Sequence, residues 1–492
     1  MNPQLSHMIA KERIADLTRI SAGRGVAGEV HAGRRPKPSH RRNSLPWGDA
    51  RSVELASADE VADGRGRWRP WMAAAAILVG AGWGSNQFTP MLLVYRHALG
   101  LGAESLEAMF GMYAVGLIPG LFLAGPLSDA RGRRLPVLGA ATASLVGSLL
   151  LIAGARLPPL LYVGRFVVGL GSGAAFSAGT AWLRELSRLD TGNADSAQAA
   201  RRAAIAMTTG FALGPLVSGL LAQWGPATRV VPYLPHVAFM VAALFASARL
   251  APETITRRRP FSLGAGLPAG QARRRFWRSV AVTAPWVFAA PAVAFAFLPA
   301  AIGADRLAGG VAVTGAVTAL TALAGLLIHP AGRALDALQS RWSVGMFGLL
   351  LCAAGLALGA YAVQDGSLWL LAPCAAVLGC AYGLCLVSGL TEVARLARPD
   401  AVGSLTAVYY ALAYLGLTTP YLLTLAAPLA GYGTLLLIAA AVALASAAAV
   451  ASASRPPAGT AVGDSPPAAR RDRRRALGRD RTGIPQPEQR RA

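Results

Sequence analysis

Lysine is nearly missing from this chain: Lys11 and Lys37 are the only two. Neither lies in a Gly-x4-Gly-Lys-Ser/Thr run, so the chain has no P-loop to cradle nucleotide phosphates, which argues against a pump that hydrolyses ATP itself. The six histidines (His7, His31, His40, His97, His236 and His329) are scattered. They form no HExxH pattern and no pair at metal-ligand spacing, and no loop gathers paired carboxylates, so a membrane enzyme finds no machinery here. Neither metal nor cofactor is expected, and the chain is not read as an enzyme. The cysteines Cys352, Cys374, Cys380 and Cys385 fall inside apolar stretches without metal-site spacing and are read as small packing residues. Charge is scarce too, at 14% of residues against 54% hydrophobic, which is too apolar for a soluble protein of this length.

What is abundant is long apolar sequence. Twelve stretches of roughly 20 residues, the length that crosses about 30 Å of hydrocarbon, are predicted near 71–95, 105–127, 134–155, 158–183, 202–223, 231–250, 279–300, 307–328, 342–362, 367–391, 402–425 and 429–453. Ala and Gly are frequent in them, as close helix packing in a bilayer requires.

The net charge of +23 would suit nucleic acid, but its distribution does not. Arg131, Arg133, Arg134, Arg184, Arg188, Arg201 and Arg202 occupy alternate connections of the first half, eight further arginines lie between Arg249 and Arg278, and Arg333, Arg341, Arg395 and Arg398 follow the same side in the second half. The other side holds little beyond Arg96, Arg156, Arg229 and Arg306. The positive-inside rule then puts both termini and the central loop in the cytoplasm of a multi-pass cell-membrane protein.

The predicted organisation is a polar, disordered N-terminal tail (1–70), with a short helix possible in principle around Leu5–Ile20, then a six-helix bundle (71–250), a central loop (251–278), a second six-helix bundle (279–453) and a solvated C-terminal tail (454–492). No signal-peptide pattern precedes the first apolar stretch. Four landmark pairs recur in order at an offset of about 205 to 210 positions, which suggests a parallel internal repeat: Asp129 with Asp336, Phe88-Thr-Pro90 with Phe297-Leu-Pro299, Gly169 and Gly173 with Gly379 and Gly383, and Pro215 with Pro420.

The run Gly125-Pro-Leu-Ser-Asp-Ala-Arg-Gly-Arg-Arg134, echoed by Gly332-Arg-Ala-Leu-Asp336, lies between the second and third stretches. It resembles the cytoplasmic signature of the major facilitator superfamily, except that Ala130 stands where an Arg usually follows the acid. Arg165-x3-Gly169-x-Gly171-x-Gly173 resembles that superfamily's fourth-helix signature, and Gly210-x3-Gly214-Pro215-x3-Gly219 resembles the fifth-helix signature of drug:proton antiporters, with Ser218 in place of a second Gly. Pro252-Glu-Thr254 is another common tag.

The resemblance implies an all-α fold of twelve spans in two bundles. It implies a gate of Gly125, Asp129, Gly132, Arg133 and Asp336 that latches against the other bundle, with Arg165 linked to proton coupling. It also implies a hinge at Gly210, Gly214, Pro215 and Gly219, where small residues let the fifth helix approach the other bundle. Substrate-cavity candidates are Asn86, Gln87, Trp286, Phe288 and Tyr382, with Tyr410 and Tyr414 nearby. Helix 1 carries no acid, which leaves the proton carrier open; Glu107, near the outer mouth, is a candidate. The function expected is alternating-access transport by a monomer in the bilayer, either proton-coupled efflux of a small organic molecule or import of a metabolite on the same fold.

Overall fold

The computed structural model describes residues 69–191, 196–254, 268–337, 343–397 and 402–453, and all regular structure among them is helical. The expected tails and residues 255–267 of the central loop lie outside the described residues. The helices, in order, are α1 (Pro70–Asn86), α2 (Met91–Leu99), α3 (Ala103–Arg131), α4 (Arg134–Ala153), α5 (Pro159–Leu189), α6 (Gln198–Trp224), α7 (Val231–Leu250), α8 (Gly270–Ile302), α9 (Gly310–Ala337), α10 (Val344–Asp365), α11 (Leu368–Leu396) and α12 (Leu405–Ala453).

Ten of them, α3 to α12, are long and apolar enough to cross a membrane, against twelve predicted stretches. The first stretch is divided by the turn at Gln87–Pro90 into α1 and α2, each too short alone. The last two form α12, a 49-residue run that is two helices joined at a kink, since one straight helix at about 1.5 Å per residue would far exceed the bilayer. Gly431, at φ 69° and ψ 157°, breaks the helical path within it. Large apolar side chains such as Leu135, Leu327, Leu429 and Trp369 face outward, the reverse of a soluble protein.

Proline explains the irregularities shared by the two halves. Phe88-Thr-Pro90 sits at the α1/α2 break, and its counterpart Phe297-Leu-Pro299 follows a widened π-helical turn over Val293–Phe297. Pro299 has no N–H to offer the preceding turn, so the α-helical ladder cannot close there. Elsewhere the ends are conventional: the Ser343 hydroxyl accepts from the Met346 N–H to cap α10, and Gly366, at φ 66°, ends it.

The most extensive packing joins α3 to α5, α4 to α5, α10 to α11 and α12, α1 to α6, α6 to α9, and α9 to α11. A β-carbon on Gly169 or Gly173 would strike the Tyr113 or Leu117 carbonyl of α3, and one on Gly379 or Gly383 would strike the Thr321 or Gly325 carbonyl of α9. The α3/α5 and α9/α11 contacts are therefore the same backbone-to-backbone arrangement, made twice. One buried cluster is drawn from residues 73–251, another from 276–450, and a third contains residues from both ranges.

Candidate functional site

At one end of α3, Arg133 is the hub of a polar cluster. Its guanidinium donates to the Asp129 carboxylate, to Ser128 Oγ at 2.7 Å and to Glu185 Oε1 at 3.1 Å. The Thr254 hydroxyl donates to the other Glu185 oxygen. The Glu253 carboxylate accepts from the backbone N–H groups of Arg133 (2.8 Å) and Arg134 (3.0 Å), which neutralises the start of α4. Gly125 lies beside Ser177, and the Ser128 hydroxyl donates to its carbonyl at 2.8 Å.

The latch expected between Asp129 and the other half is not what the ion pair makes: its partner is Arg133, four residues on and just past the end of α3. Asp336 likewise pairs with Arg395 at 2.8 Å, and Arg395 also holds Glu392 at 3.1 Å. Glu185 and Glu392 stand at the same offset as Asp129 and Asp336, so each half contains two acids bridged by one arginine. The bridging arginine comes from the loop in the first half and from the helix carrying the second acid in the other. That pairing is a fifth landmark at the repeat's offset, one that the four sequence landmarks left out.

Between the halves lies a cavity of about 540 Å³, lined by Ser85, Asn86, Phe110, Tyr113 and Arg165 from α1, α3 and α5, Phe211 from α6, and Phe288, Phe295, Tyr382 and Tyr414 among residues from α8 to α12. Arg165 is fully buried; it donates to the Ser85 carbonyl at 3.0 Å and to the Phe110 carbonyl at 3.4 Å. Its guanidinium carbon stands 4.8 Å from the Phe88 ring centroid and 4.7 Å from that of Tyr113. The Tyr113 hydroxyl is fixed by Ser85 Oγ at 2.7 Å, and Ser172 lies 3.2 Å from Ser85. On the far wall Phe288 and Tyr414 stack at 4.1 Å with 14° between their planes.

Two of the expected cavity residues do not line it. The Gln87 amide donates to Ser148 Oγ at 2.9 Å, in a buried chain in which Ser148 lies 2.9 Å from His236 Nδ1 and His236 Nε2 lies 3.0 Å from the Gly80 carbonyl. The Trp286 indole donates to Ser446 at 3.2 Å. Asn86 and Tyr382 do line it, joined by Phe288 and Tyr414. Tyr410 stands 6.2 Å from Tyr414 as a neighbouring ring.

A second cavity, of about 390 Å³, lies toward the opposite end of α3 and is lined by Thr89, Arg96, Glu107, Pro299 and Thr314 among others. Glu107 is 7% exposed, and its Oε2 has no hydrogen-bond partner; nor does Thr89 Oγ1.

The fifth-stretch glycines divide their work. β-carbons on Gly210 and Gly214 would strike the α1 backbone at Val79 and Trp83, within the same half. Only the lower part of the motif reaches the other half: Gly219 sits against Val311 and Gly315 of α9, and Gly315 against the Pro215 carbonyl. Small residues at 210 and 214 thus serve the α1/α6 contact and not the approach between halves expected for the whole motif.

The sequence profile of the Major Facilitator Superfamily matches residues 72–420, covering α1 to α11 and part of α12. The chain belongs to this superfamily. Over 196 residues it is 28% identical to a chloramphenicol resistance protein of Pseudomonas aeruginosa, covering 39% of this chain and 45% of that protein. Over 106 residues it is 29% identical to the glucose transporter GlcP of Staphylococcus epidermidis (strain ATCC 12228 / FDA PCI 1200), covering 22% and 24% respectively. The chain thus spans less than half the length of either curated relative.

Among solved structures, a POT family transporter in complex with 5-aminolevulinic acid superposes with a TM-score of 0.62 at 14% identity, over 78% of this chain and 96% of that one. The nucleoside transporter NupG gives 0.61 at 14% identity, over 78% and 98%. At that identity the likeness is one of fold. The superfamily is one of multi-pass membrane transporters, and the chain belongs to it over residues 72–420.

Proposed function

We propose that this superfamily member is a secondary active exporter that moves a small organic molecule by alternating access, driven by proton antiport. The observation that carries the reading is the 540 Å³ cavity, whose walls come from both halves of the chain, so that rocking one half against the other would expose it to each side in turn. Twelve spans in two bundles (71–250 and 279–453), with both termini cytoplasmic, complete the proposal; the arginine distribution supports that orientation. We read the protein as a monomer in the cell membrane.

The two arginine-bridged acid pairs then lie on the cytoplasmic face and form the gate; Gly125 and Gly132 shape its loop, and the Gly219/Gly315 contact is where the halves move. Glu107 is assigned as the proton-exchanging group, being a buried carboxyl with one unpartnered oxygen on a cavity. Arg165 faces the substrate in the central cavity. Import of a metabolite on the same fold is the second reading, favoured by the likeness to a glucose transporter.

Purified protein in liposomes with an imposed pH gradient tests the proposal, using a panel of organic anions, organic cations, antibiotics and sugars. Gradient-driven accumulation that collapses with an uncoupler is expected. Uptake indifferent to the uncoupler would remove proton antiport.

A further inference from the structure

The charge in the central cavity has one sign. Among the described residues, Arg165 is the only charged side chain that lines it; the other lining groups are aromatic, aliphatic, hydroxyl and amide. Among the described residues, no carboxylate forms an ion pair with Arg165. Glu107, on the neighbouring α3, faces the separate cavity beside Arg96.

A guanidinium offers five N–H donors and stays charged across the physiological pH range. Two carbonyls take one bond each, ring faces cover the flat sides, and Nε, though buried, has no partner. Rings and carbonyl dipoles soften the charge without cancelling it. The Nε edge of an arginine is a fork that matches a carboxylate. An incoming organic cation would meet like charge in a cavity walled mainly by apolar groups, where water screens it less than in bulk. A neutral amphiphile would fit the walls but leave the donor unsatisfied. Opposite the arginine, the Phe288/Tyr414 stack and Phe295 present flat apolar surface.

We propose that the central cavity binds flat aromatic monoanions, with the carboxylate docked on Arg165 and the ring against Phe288, Tyr414 and Phe295. This deepens the transport reading by naming a substrate class, and rests on it only for the claim that what binds there is carried.

The test is displacement of tritiated 2-naphthoate from the purified full-length protein by three ligands of one shape: 2-naphthoate, neutral 2-naphthamide and cationic (2-naphthyl)methylammonium. The anion should bind at least about tenfold more tightly than the amide, and the cation should not compete. Arg165→Gln should bring anion and amide within about twofold, while Arg165→Lys keeps the order. If Arg165→Gln fails to fold, Asn86→Asp carries the same question, since a carboxylate placed on the cavity wall should shift preference toward the cation. A folded wild type that binds no naphthoate, or takes the cation or amide as well as the anion, overturns the proposal. Binding with the expected charge order but no gradient-driven flux of any compound would instead sink the transport reading and leave the anion site standing. Flux of cations without naphthoate binding would do the reverse.

Discussion

The Glu253 carboxylate occupies the space that a β-carbon on Gly132 would take. Gly132 itself holds φ 105° and ψ 158°, a region open almost only to glycine. The two residues are 121 positions apart in sequence, and the close approach lets Glu253 accept from the Arg133 and Arg134 amides at the start of α4. Gly132→Ala should therefore cost about 1–3 kcal/mol from backbone strain, plus displacement of the carboxylate. A lower melting temperature in detergent, matched in part by Glu253→Ala, is the expected result.

Asp129→Asn keeps the side chain's size and removes its charge. Arg133 retains Glu185 and Ser128, so the folded yield should be unchanged. Flux should fall by up to about tenfold, because about 1.4 kcal/mol of bias shifts a two-state gate by that factor. Wild-type flux in this variant would remove Asp129 from the gate.

Glu107→Gln should abolish accumulation driven by a pH gradient while leaving substrate exchange across the membrane without a gradient. Arg96 is the charged group lining the same cavity, with Asp305 beside it at 3.9 Å and His97 at 3.8 Å from that acid, so Arg96→Gln is the companion variant. Retained proton-driven accumulation in Glu107→Gln would reassign the proton group.

If the cargo is a monoanion, its export in exchange for one proton carries two positive charges inward per cycle. Each charge is worth about 2.3 kcal/mol per 100 mV, so an inside-negative potential should accelerate export strongly. Import of the anion together with one proton moves no net charge and should ignore the potential. Flux in potassium-clamped liposomes with valinomycin distinguishes the two.

Gly173→Leu should eliminate folded protein, since its side chain would enter the α3 backbone at Leu117. Gly111→Ala, on the same membrane-embedded α3, meets nothing within 4 Å and should be silent. Fluorescence-detected gel filtration of both variants reports the contrast.

The membrane-spanning character, most of the helix positions and the repeat were legible because each rests on a regular pattern: about 20 apolar residues per crossing, and landmarks recurring at one offset. The division of the first stretch at Gln87–Pro90 was not, because it depends on backbone angles that an apolar count ignores. Within the site, Arg165 and Tyr382 stood out, because a charge or a hydroxyl ring in an apolar stretch must face inward. Gln87 and Trp286 misled for the same reason: their polar groups needed partners, but found them in Ser148 and Ser446 and not in the cavity. The Phe288/Tyr414 stack joins residues far apart in sequence, which no local spacing could pair.

The glycine seam between α3 and α5 stiffens this part of the chain. With Gly116 and Gly120 set against the α5 backbone, and Gly169 and Gly173 against that of α3, the two helices touch along their main chains with no side chains between them to slide or re-pack. Glu107 and Tyr113 ride on one, Arg165 on the other, and so all three travel as a single stiff body. The separation of the backbone positions that carry the acid and the guanidinium is then fixed as the halves move. Under the proposed proton-coupled cycle, proton and cargo would communicate through timing, by which of the two groups is open to water when the seam swings, and not by backbone movement of one group toward the other.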